Sequence, residues 1–250
     1  MEKRKAKAKT RKPVIKILEL IAKDYGFDRM EWDRDRRQKW EQPAARQRRD
    51  PFKSLIGTVL SARTRDENTA AASDALFAVY DTPEKLARAP VKSIERLIRK
   101  SGFYKTKARY VKAISRILIE KHGGRVPDSM DELCALPGVG RKVAGCVMVY
   151  SFGKPQIPVD THVHRTANRI GLVKTKLPNQ TEQRLMEIVP KKHWILVNEL
   201  FVTLGKRTCK PIGPLHDECP VSQYCDFYKN LKGKSKSNII NKAKARNGIE

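Results

Sequence analysis

Three groups of residues in this 250-residue chain could carry chemistry. The first is the run Leu136-Pro137-Gly138-Val139-Gly140-Arg141-Lys142, with a helical pattern before it and another, Val143 to Phe152, after it. Two glycines one residue apart let the backbone turn tightly and come close to another surface. The N–H groups of Gly138, Val139 and Gly140 then open onto the start of the next helix, with Arg141 beside them, a ready place for a phosphate oxygen. Lys142 falls in the first turn of that helix, where the dipole favours a nucleophilic amine over an ammonium. The second group is Pro158-Val159-Asp160-Thr161-His162, which puts a carboxylate at the start of another helical pattern. Lys142 and Asp160 could serve as nucleophile and carboxylate of one reaction. They also suit plainer roles, Lys142 as a phosphate contact and Asp160 as an N-cap. In the third group Cys209, Cys219 and Cys225 enclose His216, spaced Cys-x6-His-x2-Cys-x5-Cys. Three thiolates and an imidazole could close a zinc site or hold an iron–sulfur cluster. In a chain with no apolar N-terminal signal, such a cluster points to metal rather than disulfides. Cys134 and Cys146 stand apart on helical patterns and read as buried core thiols.

The elements that must position these residues read as helices. Val14, Ile17, Leu18 and Ile21 recur at helical spacing, with Gly26 as a stop. Residues 28–50 are charged, with Trp32 and Trp40 interleaved, and read as irregular. From Pro51 on, helical stripes follow one another, among them Ile94, Leu97, Ile98 and then Val111, Ile114, Ile117, Leu118. No strand alternation of useful length occurs, so the expected class is all-α. Apolar residues make up 40% of the chain, enough for a real core. Lys and Arg number 53 against 27 acids, a net charge of +26, which points to a polyanion and most often to nucleic acid. Residues 1–12 and 229–250 each carry +6, which leaves +14 to the body. No apolar run is long enough for a membrane span. An intracellular, DNA-associated monomer is expected.

The hairpin run is the helix-hairpin-helix signature of sequence-independent DNA binding. Together with the lysine, the aspartate and the cysteine cluster it resembles the endonuclease III family, in the helix-hairpin-helix, Gly/Pro…Asp superfamily of DNA glycosylases. The matching text is LPGVGRKVAGCVMVYSFGKPQIPVDTHVHRTANR at 136–169. VLSARTRDENT at 59–69 resembles the family's helix-start motif, and SGFYKTKA at 101–108 its DNA-wedge loop. The resemblance implies two helical domains flanking a DNA-binding groove. One is a six-helix barrel with the hairpin, residues 46–154. The other is discontinuous, 13–45 with 155–228, and carries a [4Fe–4S] cluster on Cys209, His216, Cys219 and Cys225. A disordered basic arm (1–12) and tail (229–250) flank them. The implied activity is removal of oxidised or damaged pyrimidines from duplex DNA, with Lys142 as nucleophile, Asp160 as the family aspartate, and strand cleavage by β-elimination. Phe103 would fill the gap in the base stack and Arg63 would face the orphaned base. His162, two residues past Asp160, is counted with the DNA contacts.

Four positions depart from the family pattern: Arg63 for glutamine, Phe103 for leucine, Cys134 for glutamate near the pocket, and His216 for the second cluster cysteine. The loop from Cys209 to His216 also holds only one basic residue, Lys210. Three rival readings stand beside this one: a monofunctional mismatch glycosylase, which would lack the lysine; a non-enzymatic DNA-binding module; and a structural zinc protein.

Overall fold

The structure, a computed structural model, describes residues 12–26 and 50–232. The expected irregular stretch with Trp32 and Trp40, residues 1–11 of the arm and residues 233–250 of the tail lie outside them. Among the described residues every regular element is helical. These are α1 (Val14–Asp24), α2 (Pro51–Ser61), α3 (Asp66–Phe77), α4 (Pro83–Arg88), α5 (Val91–Leu97), α6 (Tyr104–His122), α7 (Met130–Cys134), α8 (Arg141–Tyr150), α9 (Thr161–Ile170), α10 (Pro178–Ile188) and α11 (Trp194–Arg207). Short 3-10 turns occupy Lys191–His193 and Ser222–Tyr224, and residues 226–232 are helical. None of the described helices is long and apolar enough to cross a membrane.

The chain divides into two compact units, and the division falls between Pro158 and Val159. The first unit contains α2 to α8. Its helices start where side-chain chemistry says they should. Asp50 caps α2, accepting from the Phe52 and Lys53 N–H groups, with Pro51 at the first helical position. Thr82 caps α4 ahead of Pro83 in the same way. Ser129 caps α7 through the Glu132 N–H, and its hydroxyl donates to the Glu132 carboxylate. The long helix α6 packs against α2, α4 and α5, and α2 packs against α3 and α8. Ala108, Val111, Ile114 and Leu118 form the buried face of α6. Each such side chain stabilises the fold by about 1.5–3 kcal/mol relative to an exposed one, alanine less. In α8, Val143 through Val149 are all buried, so the helix that follows the hairpin is a core element and not a surface appendage. Cys146 is buried there, and Cys134 is half-buried against the same core.

The unit boundary lies four residues beyond the expected 154/155 because Pro158 is held from behind. Gly145 of α8 faces the Pro158 ring so closely that a Cβ would lie 3.3 Å from it. Residues 155–158 therefore pack with the hairpin helix.

The second unit joins α1 to α9, α10, α11 and the cysteine loop. α11 packs on both α9 and α1, and Ile17, Leu18 and Ile21 of α1 are fully buried. Gly26 ends the α1 segment at φ +76°. Two expectations about the tails need correction here. Lys12 does not belong to a disordered arm: its amine binds the Asp226 carboxylate at 2.6 Å and the Tyr224 carbonyl. Residues 229–232 likewise continue the helical stretch begun at 226. A local pattern reading could not find a tie between residues more than two hundred positions apart.

Candidate functional site

The hairpin turn is built by a glycine that nothing else could replace. Gly138 sits at φ +75°, and a Cβ there would lie 2.4 Å from the Tyr110 ring of α6. The Val139 N–H closes the turn onto the Leu136 carbonyl at 3.1 Å. Gly140 is the extended N-cap of α8 and offers no side-chain oxygen to the first-turn N–H groups. No acidic residue occupies that first turn, which instead carries exposed Arg141 and half-buried Lys142. Uncapped N–H groups, the positive end of a helix dipole and two cations thus share one place, the physical make-up of a phosphate site. The Lys142 amine makes no hydrogen bond or ion pair among the described residues.

Asp160 caps α9. Its Oδ1 accepts from the His162 and Val163 N–H groups, each at 2.9 Å. Two bonds to one oxygen fix the carboxylate in orientation, and Oδ2 makes no hydrogen bond among the described residues. His162 is half-buried, with Nδ1 3.2 Å from the Arg165 guanidinium. Arg165 in turn donates to the Cys209 and Gly205 carbonyls.

Arg63 and Phe103, forty residues apart in sequence, are brought side by side. The Arg63 guanidinium lies 5.7 Å from the centre of the Phe103 ring, and Phe103 is 63% exposed. These two are the positive-φ non-glycine residues among the described ones, at φ 51° and 59°. Such backbone costs about 1–3 kcal/mol per residue and persists only where surrounding contacts enforce it. Gly102 permits the approach: a Cβ there would sit 2.7 Å from the Arg63 carbonyl oxygen. Lys107, which lies within the SGFYKTKA segment but was given no role there, is buried on α6 beneath both loops, with its amine bonded to oxygens of each. A signal is nonetheless present, since Lys107 falls one position before Ala108 on the face that Val111 and Ile114 bury. A lysine on an apolar stripe marks a buried amine with work to do.

Cys209, His216, Cys219 and Cys225 line one pocket, together with Arg169, Leu204 and Phe227 among others. No cysteine is in a disulfide. Burial pushes the Cys219 thiol up to about 11, and the Cys225 and Cys209 thiolates push it the same way. Cys225 is raised by burial and by Cys209. Three sulfurs that repel one another's charge in a buried pocket need a cationic centre to become thiolates together. Among the described residues, no three His, Cys, Asp or Glu side chains converge tightly enough for a single ion. His216 stacks on the Tyr228 ring, centroids 4.5 Å apart and planes 12° apart. Stacking occupies a face of the imidazole and leaves the in-plane nitrogens, neither of which has a hydrogen-bond partner among the described residues. Arg169, also not anticipated from sequence, donates to the Lys210 and Pro211 carbonyls at 2.6 and 2.9 Å and lies 3.6 Å from the Cys209 sulfur. It holds the loop between Cys209 and His216 in place.

Comparison with known proteins places this geometry in a family. Residues 56–191 match the HhH-GPD superfamily of base excision DNA repair proteins. Endonuclease III of Thermotoga maritima is 53% identical over 180 residues, covering 72% of this chain and 84% of that protein. Endonuclease III of Rickettsia conorii is 38% identical over 190 residues, covering 74% and 88%. Among solved structures, a trapped covalent intermediate of an endonuclease III with DNA superposes with a TM-score of 0.77 at 32% identity, covering 90% of this chain and 100% of that one. A thermostable thymine-DNA glycosylase, at 24% identity and a TM-score of 0.67, shares the fold. The chain therefore belongs to the HhH-GPD superfamily of base excision DNA repair proteins, within its endonuclease III branch.

Proposed function

We infer that this protein is a bifunctional DNA glycosylase and abasic-site lyase acting on damaged bases, oxidised pyrimidines foremost, in duplex DNA. The observation that carries this reading is the Lys142 amine, unpaired among the described residues, in the first turn of the hairpin helix beside a glycine turn built for phosphate. A base inside the stack cannot be attacked, so the nucleotide must leave it. The hairpin N–H groups grip the backbone while Phe103 and Arg63 take the vacated space. Lys142 Nζ attacks the sugar C1′, and the base departs with the electron pair of the glycosidic bond. Loss of the amine proton and opening of the ring yield a Schiff base. That imine makes a C2′ proton acidic; its removal expels the 3′ phosphate and cuts the strand, and water then hydrolyses the imine and returns the amine. Asp160, oriented through Oδ1, uses Oδ2 to stabilise positive charge on the sugar and to accept the proton that frees the amine. The deciding experiment is borohydride trapping on duplexes that each carry one defined lesion. It expects a covalent protein–DNA band with a ring-damaged pyrimidine and with an abasic site. No band on any of them would end the lyase reading.

The cysteine loop fits an iron–sulfur cluster. Three thiols and an imidazole share one pocket, and burial raises two of those thiols, so a cationic group is what would let them act as thiolates together. When bound, a [4Fe–4S] cluster supplies iron that holds the sulfurs as thiolates and pins residues 209–225. Cys209, Cys219 and Cys225 are its ligands, with His216 as the fourth. The purified protein is expected to be yellow-brown with about four irons per chain. His216→Ala should bleach it under anaerobic handling, and His216→Cys should keep the colour. A His216→Ala protein with an unaltered spectrum and iron content removes the histidine from the ligand set. A colourless zinc protein removes the cluster.

The charge distribution makes a separate prediction. Deleting residues 1–11 and 233–250 removes eleven Lys and Arg. Each phosphate that the shortened protein no longer neutralises lowers the slope of log affinity against log salt by about 0.9 on duplex DNA. Affinity for undamaged duplex should fall and its salt slope flatten, while single-turnover rates on saturated substrate change little. An unchanged slope would assign the tails to partners other than DNA. The protein's location follows from its substrate, wherever the cell keeps its duplex DNA.

A further inference from the structure

We propose that Lys107 is a positioning residue that locks the 62–64 loop to the 101–103 loop, so that Arg63 and Phe103 enter the base stack as one unit. The inference rests on the glycosylase reading and adds a residue to it. Lys107 is 5% exposed, and its amine lies 2.7 Å from the Leu60 carbonyl oxygen, 2.6 Å from that of Ala62, 3.0 Å from Thr64 Oγ1 and 2.9 Å from Ser101 Oγ. Two of these oxygens flank Arg63 in sequence, and Ser101 stands two residues before Phe103. An ammonium carries three N–H bonds, so four acceptors leave none of them idle. The remaining polar groups cross-link the same loops. Ser101 Oγ donates to the Leu60 carbonyl at 2.9 Å, and the Gly102 N–H donates to Thr64 Oγ1 at 3.0 Å. The base of the clamp is helical: the Lys107 N–H donates to the Phe103 carbonyl at 3.1 Å, which ties the clamp's own backbone to the wedge residue.

The clamp answers two facts that packing alone leaves open. Both wedge residues hold a left-handed backbone that neither an arginine nor a phenylalanine prefers. Phe103 is largely exposed, so its own side-chain contacts cannot enforce that conformation. The enforcement must come from the backbone around it, and the buried ammonium supplies it. Keeping a charge there has an electrostatic cost: burial lowers the amine to about 8, while the four oxygens around it favour the charged form. A methionine would fill the same space without that cost, so what the amine adds is its hydrogen bonds.

The test uses the full-length protein and a duplex with a tetrahydrofuran abasic analogue opposite 2-aminopurine, whose fluorescence rises when it is unstacked. Wild-type protein should raise the fluorescence at saturation. Lys107→Met should lose most of that rise and slow base excision on the order of tenfold, while its affinity for undamaged duplex stays within about twofold. If Lys107 acts through the wedge, its effect should largely vanish in a Phe103→Ala background, whereas a general loss of stability would persist there. Should Lys107→Met fail to fold by circular dichroism, Thr64→Val, which removes one clamp acceptor at the half-buried edge, takes its place in the same cycle. A full fluorescence rise in the folded variant, or an effect that multiplies with that of Phe103→Ala, overturns the proposal. Borohydride trapping by the wild-type protein on abasic DNA is measured alongside. Its absence removes the glycosylase reading and this inference with it, while its presence confines any failure to Lys107.

Discussion

Replacing Lys142 by alanine should abolish the borohydride-trapped complex and lower base release on the order of a thousandfold or more, the scale seen when a covalent nucleophile is deleted. The amine holds no carboxylate and no carbonyl among the described residues, so removing it breaks no internal bond. The change should therefore cost about 0.5 kcal/mol or less in stability, as for a surface substitution away from special features. Duplex binding should also survive, because the backbone N–H groups through which the hairpin is proposed to grip phosphate stay in place in the alanine variant. Lys142→Ala thus separates chemistry from binding in one variant. Gel-shift affinity close to wild type with no trapped band is the expected pair of results. A trapped band that persists would assign the nucleophile to another amine, and a melting temperature that drops sharply would show Lys142 to be structural.

Asp160→Asn should slow single-turnover base release by at least about a hundredfold, the usual scale for removing a preorganised charge from a reacting centre. Asparagine keeps an oxygen that can accept from the His162 and Val163 N–H groups, and it is as good an N-cap as aspartate. Helix α9 should therefore start where it does now. The melting temperature should move little and the rate greatly. Asp160→Ala is the informative companion: it removes the cap as well and should cost about 1 kcal/mol of stability on top of the lost rate. If the asparagine variant keeps a near-normal rate, the carboxylate is a cap and nothing more. Measuring base release apart from strand cleavage matters here, because an amine that arrives deprotonated by other means would rescue the second step and leave the first slow.

Much of this protein can be read from local sequence, for a physical reason. Helical periodicity, the Gly138 turn, the Asp160 cap and the spacing of Cys209, Cys219 and Cys225 are each written within about twenty residues. The interactions behind them are local as well: backbone torsion, i to i+4 hydrogen bonds, a cap bond two or three residues along the chain. The all-α class and the assignment of residues 56–191 to the repair superfamily rest on features of this kind. Tertiary structure decided what depends on partners far apart in the chain. Gly138 needs to be a glycine because of Tyr110, twenty-eight residues upstream. The first unit runs on to Pro158 because Gly145 leaves room for a proline ring. Lys12 leaves the basic arm because Asp226 holds it, and no composition rule joins the two ends of a chain. Lys107 shows the difference most clearly. By sequence it is one of 53 cationic residues in a chain whose charge is explained by DNA. Its place on the apolar stripe hints that it faces inward, but only the packed structure shows what meets it there: a lysine is buried when other segments bring enough oxygens for its three N–H bonds, and those oxygens come from residues 60–64 and 101.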